Sequence, residues 1–479
     1  MRKTYHLPFL ILLSLFQACQ PQNTTTTKED IAFPNRPNII LMVADDHGKD
    51  AIGCYGNPMI KTPNLDRLAQ KSTRFDRAFC TTASCSASRS VILTGLHNHA
   101  NGHYGHMHSY HHFSAYDNIK SLPILLEEAG YRTGHVGKFH VAPEPVFRFQ
   151  NRFKANSRST VEMAEATEDF IKKNHADPFF LFFCFSDPHR GNGFAEELPH
   201  QPDRFGNILK GYPKVVEEKY DPNTVIVPPF LSDTPETRAE IAQYYQSISR
   251  LDKGVGKLLD YLEDSNKMDN TMIIYISDNG MAFPGAKTTL YEAGMQLPLI
   301  AKMPNQQSER VSKEMVSWVD LTPTILDVAG ALQTDSIFHG QSFVPAIEGG
   351  ELGRDEIYAS HTFHEVTMYY PMRVVREEKY KLIMNLANGL EYPFASDLYA
   401  SKTWQSVLSN KLGVLGAKPI DEFLHRNRFE LYDIEADPNE TVNLALDPNY
   451  KEILGGLQRK VHAFQQQTKD PWVYKWEYE

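Results

Sequence analysis

Four apolar runs separated by helix-forming stretches constrain this chain more than any other feature. They are 38–43, 131–137, 179–185 and 271–276, rich in Ile, Val, Phe and Tyr. Helical patterns fall between them, as at 64–71 and 122–128. Continuous apolar strands alternating with helices predict an α/β fold whose mostly parallel sheet is covered on both faces. Each run stops at polar residues: Asp45-Asp46-His47-Gly48, Lys138-Phe139-His140, Ser186-Asp187-Pro188-His189-Arg190 and Ser277-Asp278-Asn279-Gly280. Such sheets bind ligands beyond the carboxyl ends of their strands, so these four clusters are expected to meet at one edge.

The chemistry of that edge follows from its residue types. Asp45, Asp46, Asp278 and Asn279 offer carboxylate and amide oxygens without a thiolate or imidazole, a donor set that suits Ca²⁺ or Mg²⁺ better than Zn²⁺. Arg89, Lys138, His140, His189 and Lys287 add the positive or protonatable groups that an anionic substrate needs. Lys138 and His140 stand two residues apart at a strand end and can share a face. The segment Cys85-Ser86-Ala87-Ser88-Arg89 introduces a cysteine ahead of an arginine at a helix start. Taken alone it would read as a buried structural thiol.

The ordered set of segments resembles the type I sulfatases of the alkaline-phosphatase-like superfamily. The similarity runs from about Arg36 to near the C-terminus. It is carried by Pro37-Asn38-Ile39-Ile40 through Asp46, the Cys85 segment, Gly137-Lys138-Phe139-His140, Asp187-Pro188-His189, Ser277-Asp278-Asn279-Gly280 and Leu321-Thr322-Pro323-Thr324-Ile325. Late segments Glu430-Leu431-Tyr432-Asp433, Asp437-Pro438-Asn439-Glu440 and Asn443-Leu444-Ala445 extend it. The resemblance implies a large mixed, mostly parallel sheet flanked by helices, with a smaller C-terminal α+β domain built on an antiparallel sheet. It also implies that a maturation enzyme converts Cys85 to formylglycine. A thiol attacking sulfur would stall as a thiosulfate, whereas an aldehyde hydrate keeps a second hydroxyl with which to expel sulfate.

Carried over by position, Asp45, Asp46, Asp278, Asn279 and the matured Cys85 would hold one Ca²⁺ ion. Arg89 would stabilise the hydrate, Lys138 and Lys287 would contact sulfate oxygens, His140 would assist release, and His189 would protonate the leaving group. Three further stretches, Asn101-Gly102-His103-Tyr104-Gly105 with His111-His112-Phe113, His364 to Arg373, and Asp470-Pro471-Trp472-Val473, resemble the N-sulfoglucosamine sulfohydrolase branch. That branch removes N-linked sulfate from the glucosamine of heparan-type chains. Glycan recognition would then fall to Asp187, Arg190, His364, Glu365 and Arg373. Ala87 stands where proline is common, and Lys287 where the nearest relatives are expected to carry arginine. Neither departs from the wider family.

Histidines are dense between His97 and His112, at 97, 99, 103, 106, 108, 111 and 112. They lack a partnering cysteine or acidic pair at metal spacing, so they read as pocket-lining or loop-packing residues and not as a second metal site. A chain of 479 residues suggests two domains, a catalytic one over 36–355 and a smaller one over 356–479 that completes the pocket. In the second, 372–376 and 380–384 flank Glu377-Glu378-Lys379 and predict an antiparallel hairpin.

Residues 1–19 read as an export signal ending at Ala18-Cys19, with Cys19 placed for lipidation and an ordinary secretory signal as the alternative. Residues 20–35 read as a flexible tether, and the expected location is the bacterial periplasm or the outer membrane. Cys184 sits in an apolar strand, while Cys54 and Cys80 are left open as paired or free. The formal net charge of −10, with no basic run, excludes a nucleic-acid groove and favours an exo-acting pocket over a long polyanion track. Homodimerisation is implied only by the resemblance. The competing functions are an O-sulfatase on a sulfated sugar, a phosphonate or phosphodiester hydrolase, and a catalytically silent glycan-binding lipoprotein.

Overall fold

A computed structural model describes residues 1–4, 36–175, 177–191, 203–334 and 337–478. The export and tether readings at 5–35, including Cys19, lie outside them. The main sheet is built from β1 (Asn38–Ala44), β2 (Thr73–Phe79), β3 (Arg132–Gly137), β4 (Asn151–Phe153), β5 (Phe179–Cys184), β6 (Thr271–Ser277), β7 (Leu299–Lys302) and β8 (Arg310–Ser317). Their order is β4-β3-β5-β1-β6-β7-β2-β8. β1 is parallel to both β5 and β6, and only β7 runs against its neighbours. The predicted mixed, mostly parallel sheet is the one observed.

The central strands are apolar throughout because both their faces are covered. Along β1, Ile39, Leu41 and Val43 enter one hydrophobic cluster while Ile40, Met42 and Ala44 enter another. This period of two is the strand's own alternation. The helix Pro235–Asp264 covers the second face with Leu251, Val255, Leu258 and Leu262. Thr234 caps its first turn by accepting from the Thr237 amide, and Pro235 supplies the favoured first residue.

Register decides where the polar strand ends arrive. Val43 pairs with Cys184 on one side and Ile276 on the other, so β1, β5 and β6 stop level. The ladder continues past them: the Asp45 amide donates to the Asp187 carbonyl (3.1 Å), Asp278 to Ala44 (3.1 Å) and Lys138 to Cys184 (2.9 Å). Gly137 permits this close approach, since a Cβ there would lie 1.9 Å from the Cys184 carbonyl oxygen. All four polar clusters therefore leave one edge together.

A second, antiparallel sheet contains β9 (Glu356–Phe363), β10 (Tyr369–Glu377), β11 (Tyr380–Asn385) and β12 (Phe429–Asp433), in the order β12-β11-β10-β9. The predicted hairpin is β10–β11, with Arg376 opposite Lys381. Helix Lys451–Gln467 covers one face through Leu457 and Val461. The other face sends Ile357, Ala359, Tyr370, Met372 and Val374 into the main core. The apolar core is thus continuous across residue 355, and the second sheet is anchored beside the catalytic edge.

Candidate active site

Cys85 is the first residue of the helix Cys85–Thr94, all ten residues of which are buried. The preceding loop is tied to the second sheet. The Ser360 amide donates to the Thr81 carbonyl (2.7 Å), Thr82 Oγ1 meets His361 Nδ1 (3.0 Å), and Ser84 Oγ meets His364 Nδ1 (2.9 Å). The Cys85 thiol lies 3.4 Å from Asp46 Oδ1. Burial first, then the Asp46 carboxylate, pushes its pKa well above the ordinary thiol value. An unmodified Cys85 is a poor nucleophile here, because thiolate chemistry needs a depressed pKa.

Opposite signs are interleaved around it. Lys138 Nζ contacts Asp45 Oδ2 at 2.5 Å, Arg89 Nε contacts Asp278 Oδ2 at 2.8 Å, and Lys287 Nζ contacts Asp46 Oδ2 at 3.0 Å. Burial alone would raise the Asp45 and Asp46 pKa values, yet the cations overcome it: Lys138, His189 and Arg89 at Asp45, and Lys287 and His189 at Asp46. At Asp278 burial and the two neighbouring carboxylates prevail over Arg89, pushing the group up to about 7. Asp46 holds a left-handed backbone (φ 69°), as do His140 (φ 57°) and the β-branched Thr288 (φ 67°) beside Lys287. Backbone of this kind persists only where its surroundings enforce it. Tyr244 does so at Asp46 by donating its hydroxyl to the carbonyl (2.8 Å).

The residues at this edge fit a hard divalent cation. Asp45 Oδ1 and Asn279 Oδ1 are buried without a hydrogen-bond partner. Unpaired buried oxygens are costly, and a cation would satisfy both. Asp45, Asp46, Cys85 and His189 each place one donor atom within 4.8 Å of the others. Lys138, His140 and His189 are partly exposed, whereas Arg89 and Lys287 are buried. His189 Nδ1 lies 2.7 Å from Asp46 Oδ2 and 3.3 Å from Lys287 Nζ.

The five glycan-contact expectations divide. His364 is buried with both ring nitrogens engaged, Nδ1 by Ser84 and Nε2 by His106 at 3.0 Å, whereas Glu365 accepts from the Ser396 hydroxyl (2.6 Å). Asp187, Arg190 and Arg373 do not offer free polar atoms to a sugar. Asp187 is fully buried and takes Arg250 at 2.7 and 2.9 Å and Arg158 at 2.6 Å. Arg190 forks onto buried Glu240 at 2.6 and 3.1 Å. Arg373 forks onto Asp470 at 2.5 and 2.9 Å. In this structure all three are held in buried ion pairs, since unpaired buried charges would be prohibitively costly. Arg373 lies over the Trp472 ring and Trp472 against Tyr104, so the three branch-like stretches pack on one another.

Sequence reading passed over Asp397, which lies 3.2 Å from Lys287 Nζ. It is a lone acidic residue in a short helix, Ser396–Tyr399, with no local signal of its partner. His106 and His108, read from the sequence as pocket-lining or loop-packing, approach His140, a partner that their spacing does not reveal. Cys54 and Cys80 are both free thiols.

The profile of the sulfatase family matches residues 37–331, and that of the N-sulphoglucosamine sulphohydrolase C-terminal region matches 285–402. Human N-sulphoglucosamine sulphohydrolase is 38% identical over 459 residues, covering 91% of each chain. An N-acetylglucosamine-6-O-sulfatase of Bacteroides thetaiotaomicron is 26% identical, covering 96% of this chain and 90% of that one. Among solved structures, a phosphonate monoester hydrolase of Agrobacterium radiobacter shares the fold with a TM-score of 0.67, 18% identity and 90% and 96% coverage. Enzymes of the sulfatase family generally employ formylglycine and a divalent metal ion. With its strand-end carboxylates, buried cations and helix-leading cysteine gathered at one sheet edge, the chain belongs to the sulfatase family and is a sulfate-ester or sulfamate hydrolase.

Proposed function

We propose that the chain removes the N-linked sulfate of glucosamine at the non-reducing end of heparin or heparan sulfate fragments. In this reading Cys85 is converted to formylglycine, and one Ca²⁺ is held by Asp45, Asp46, Asp278, Asn279 and the modified residue. The observation that carries it is similarity to human N-sulphoglucosamine sulphohydrolase along 91% of both chains, reinforced by the C-terminal family match at 285–402. When present, the aldehyde hydrate supplies an attacking hydroxyl and a second one that releases sulfate. The cation would polarise a sulfate oxygen.

The chain's own residues account for binding and proton movement. Lys138 and Lys287 flank the position of the sulfate and offset its charge, each already held by a carboxylate, Asp45 and Asp46 respectively. Arg89, with Nη1 on the Lys138 carbonyl at 2.9 Å, positions that lysine and faces the modified residue. His189 is pinned through Nδ1 on Asp46, leaving Nε2 to deliver a proton to the departing nitrogen. Burial, then Lys138 and Lys287, lowers its pKa and makes its imidazolium a stronger acid. A proton is essential because an amine cannot leave as its anion. His140 takes up the proton released when sulfate departs.

His364 and Glu365 line the sugar side of the pocket. Division at 355/356, export with a lipid on Cys19, maturation by a formylglycine-generating enzyme and homodimerisation belong to the same proposal. The test is sulfate release from N-sulfated glucosamine against 6-O-sulfated N-acetylglucosamine, with Cys85 conversion verified by peptide mass. Release from the N-sulfated sugar is expected. Release from the O-sulfated sugar alone would discard the sulfamidase reading while keeping the family.

A further inference from the structure

The histidine-rich stretch has a spatial partner that its spacing conceals. His106, His108 and His140 form a near-equilateral triangle, with ring centroids 4.8 Å (His106–His108), 4.9 Å (His106–His140) and 4.8 Å (His108–His140) apart. One nitrogen from each ring lies within 4.8 Å of the other two. His106 Nδ1 is buried with no hydrogen-bond partner, and His140 turns its Nε2 toward His108 Nδ1. His106 Nε2 is meanwhile engaged by His364, whose own Nδ1 rests on Ser84 Oγ. That chain orients the His106 ring from behind, as outer partners orient metal-bound imidazoles.

We propose that His106, His108 and His140 form a second metal site, selective for a borderline ion such as Zn²⁺ or Cu²⁺ and distinct from the carboxylate site. Three imidazoles with an open fourth position are a recurrent zinc donor set, and the absence of a carboxylate among them disfavours Ca²⁺. Metal–nitrogen bonds of about 2.0–2.1 Å in tetrahedral geometry place donor atoms roughly 3.3 Å apart. The His108 Nδ1 to His140 Nε2 separation of 2.7 Å and the 4.8 Å limit of the cluster bracket that value. Modest ring rotations suffice, and His108 is exposed enough to make them. Spacing within the stretch does not reveal this cluster, because the third histidine lies 32 residues beyond His108.

Occupancy removes His140 from proton transfer and places a cation beside Lys138, so the ion acts as a reversible inhibitor. The inhibitory consequence rests on the sulfatase reading above; the binding does not. Copper is added to the intact protein in excess Ca²⁺, and its electron paramagnetic resonance spectrum is recorded. Nitrogen superhyperfine structure from imidazoles is expected, together with at least tenfold weaker binding in His108→Ala and unchanged binding in His112→Ala. In parallel, Zn²⁺ should inhibit sulfate release at saturating Ca²⁺, with at least a tenfold higher half-inhibiting concentration in His108→Ala. An oxygen-only copper spectrum in the parent protein, or equal affinity in His108→Ala, overturns the proposal whether or not the enzyme is a sulfamidase.

Discussion

Replacing Asp187 with Asn separates a structural role from a substrate role at one atom. The carboxylate is fully buried and accepts two hydrogen bonds from Arg250, itself buried, and one from Arg158. Asn preserves the shape but removes the charge, leaving buried Arg250 with only Glu217, 3.8 Å away, as counter-charge. Breaking a buried pair on one side costs about 3–5 kcal/mol. Unfolding entropy of about 2.1 cal/mol/K per residue over roughly 440 residues makes each kcal/mol worth about 1 °C, so Tm should fall by about 3–5 °C. Differential scanning calorimetry on Asp187→Asn, Arg250→Met and the double variant forms a cycle. The double variant should lose less than the sum of the singles, because it no longer buries an unpaired charge. Activity should fall too, since the Asp187 carbonyl anchors the Asp45 amide. An unchanged Tm with a raised KM would refute the structural assignment and restore Asp187 as a sugar contact.

Acid should destabilise the protein below neutrality. His103 is lowered to about 4, and His135 and His361 to about 3, chiefly by burial. Unfolded chains therefore bind more protons between about pH 4 and 6.5, so stability complete above 6.5 is lost as pH falls, by up to about 1.4 kcal/mol per pH unit per histidine. A Tm that stays flat from pH 7 to 5 would contradict this. Removing the divalent ion with a chelator should abolish sulfate release and lower Tm, and Ca²⁺ should restore both; full activity after exhaustive chelation would count against the carboxylate site. Asp397→Asn should lower kcat/KM by about tenfold, equivalent to about 1.4 kcal/mol, with little change in Tm, because Lys287 keeps Asp46 but loses its second anchor. Cys85→Ala should leave the fold intact and release no sulfate, as judged by calorimetry beside ion chromatography.

What could be read from the chain alone were features written locally. Strands buried on both faces are apolar along most of their length, so β1, β5 and β6 stood out, and the polar residues ending them and β3 marked the edge where these groups gather. Asp45, Asp46, Asp278, Asn279 and Cys85 were legible for this reason, and because their order along the chain is that of a known family. Partnership between distant charges was not. Arg250 lies 63 residues from Asp187, and Asp470 lies 97 from Arg373. Nothing local tells a charge facing a sugar from one facing its counter-ion. The same holds for Asp397 beside Lys287 and for His140 beside His106 and His108. Burial and pairing are properties of packed elements: the sequence declares which groups are charged, and only the packing decides which of them remain free to meet a substrate.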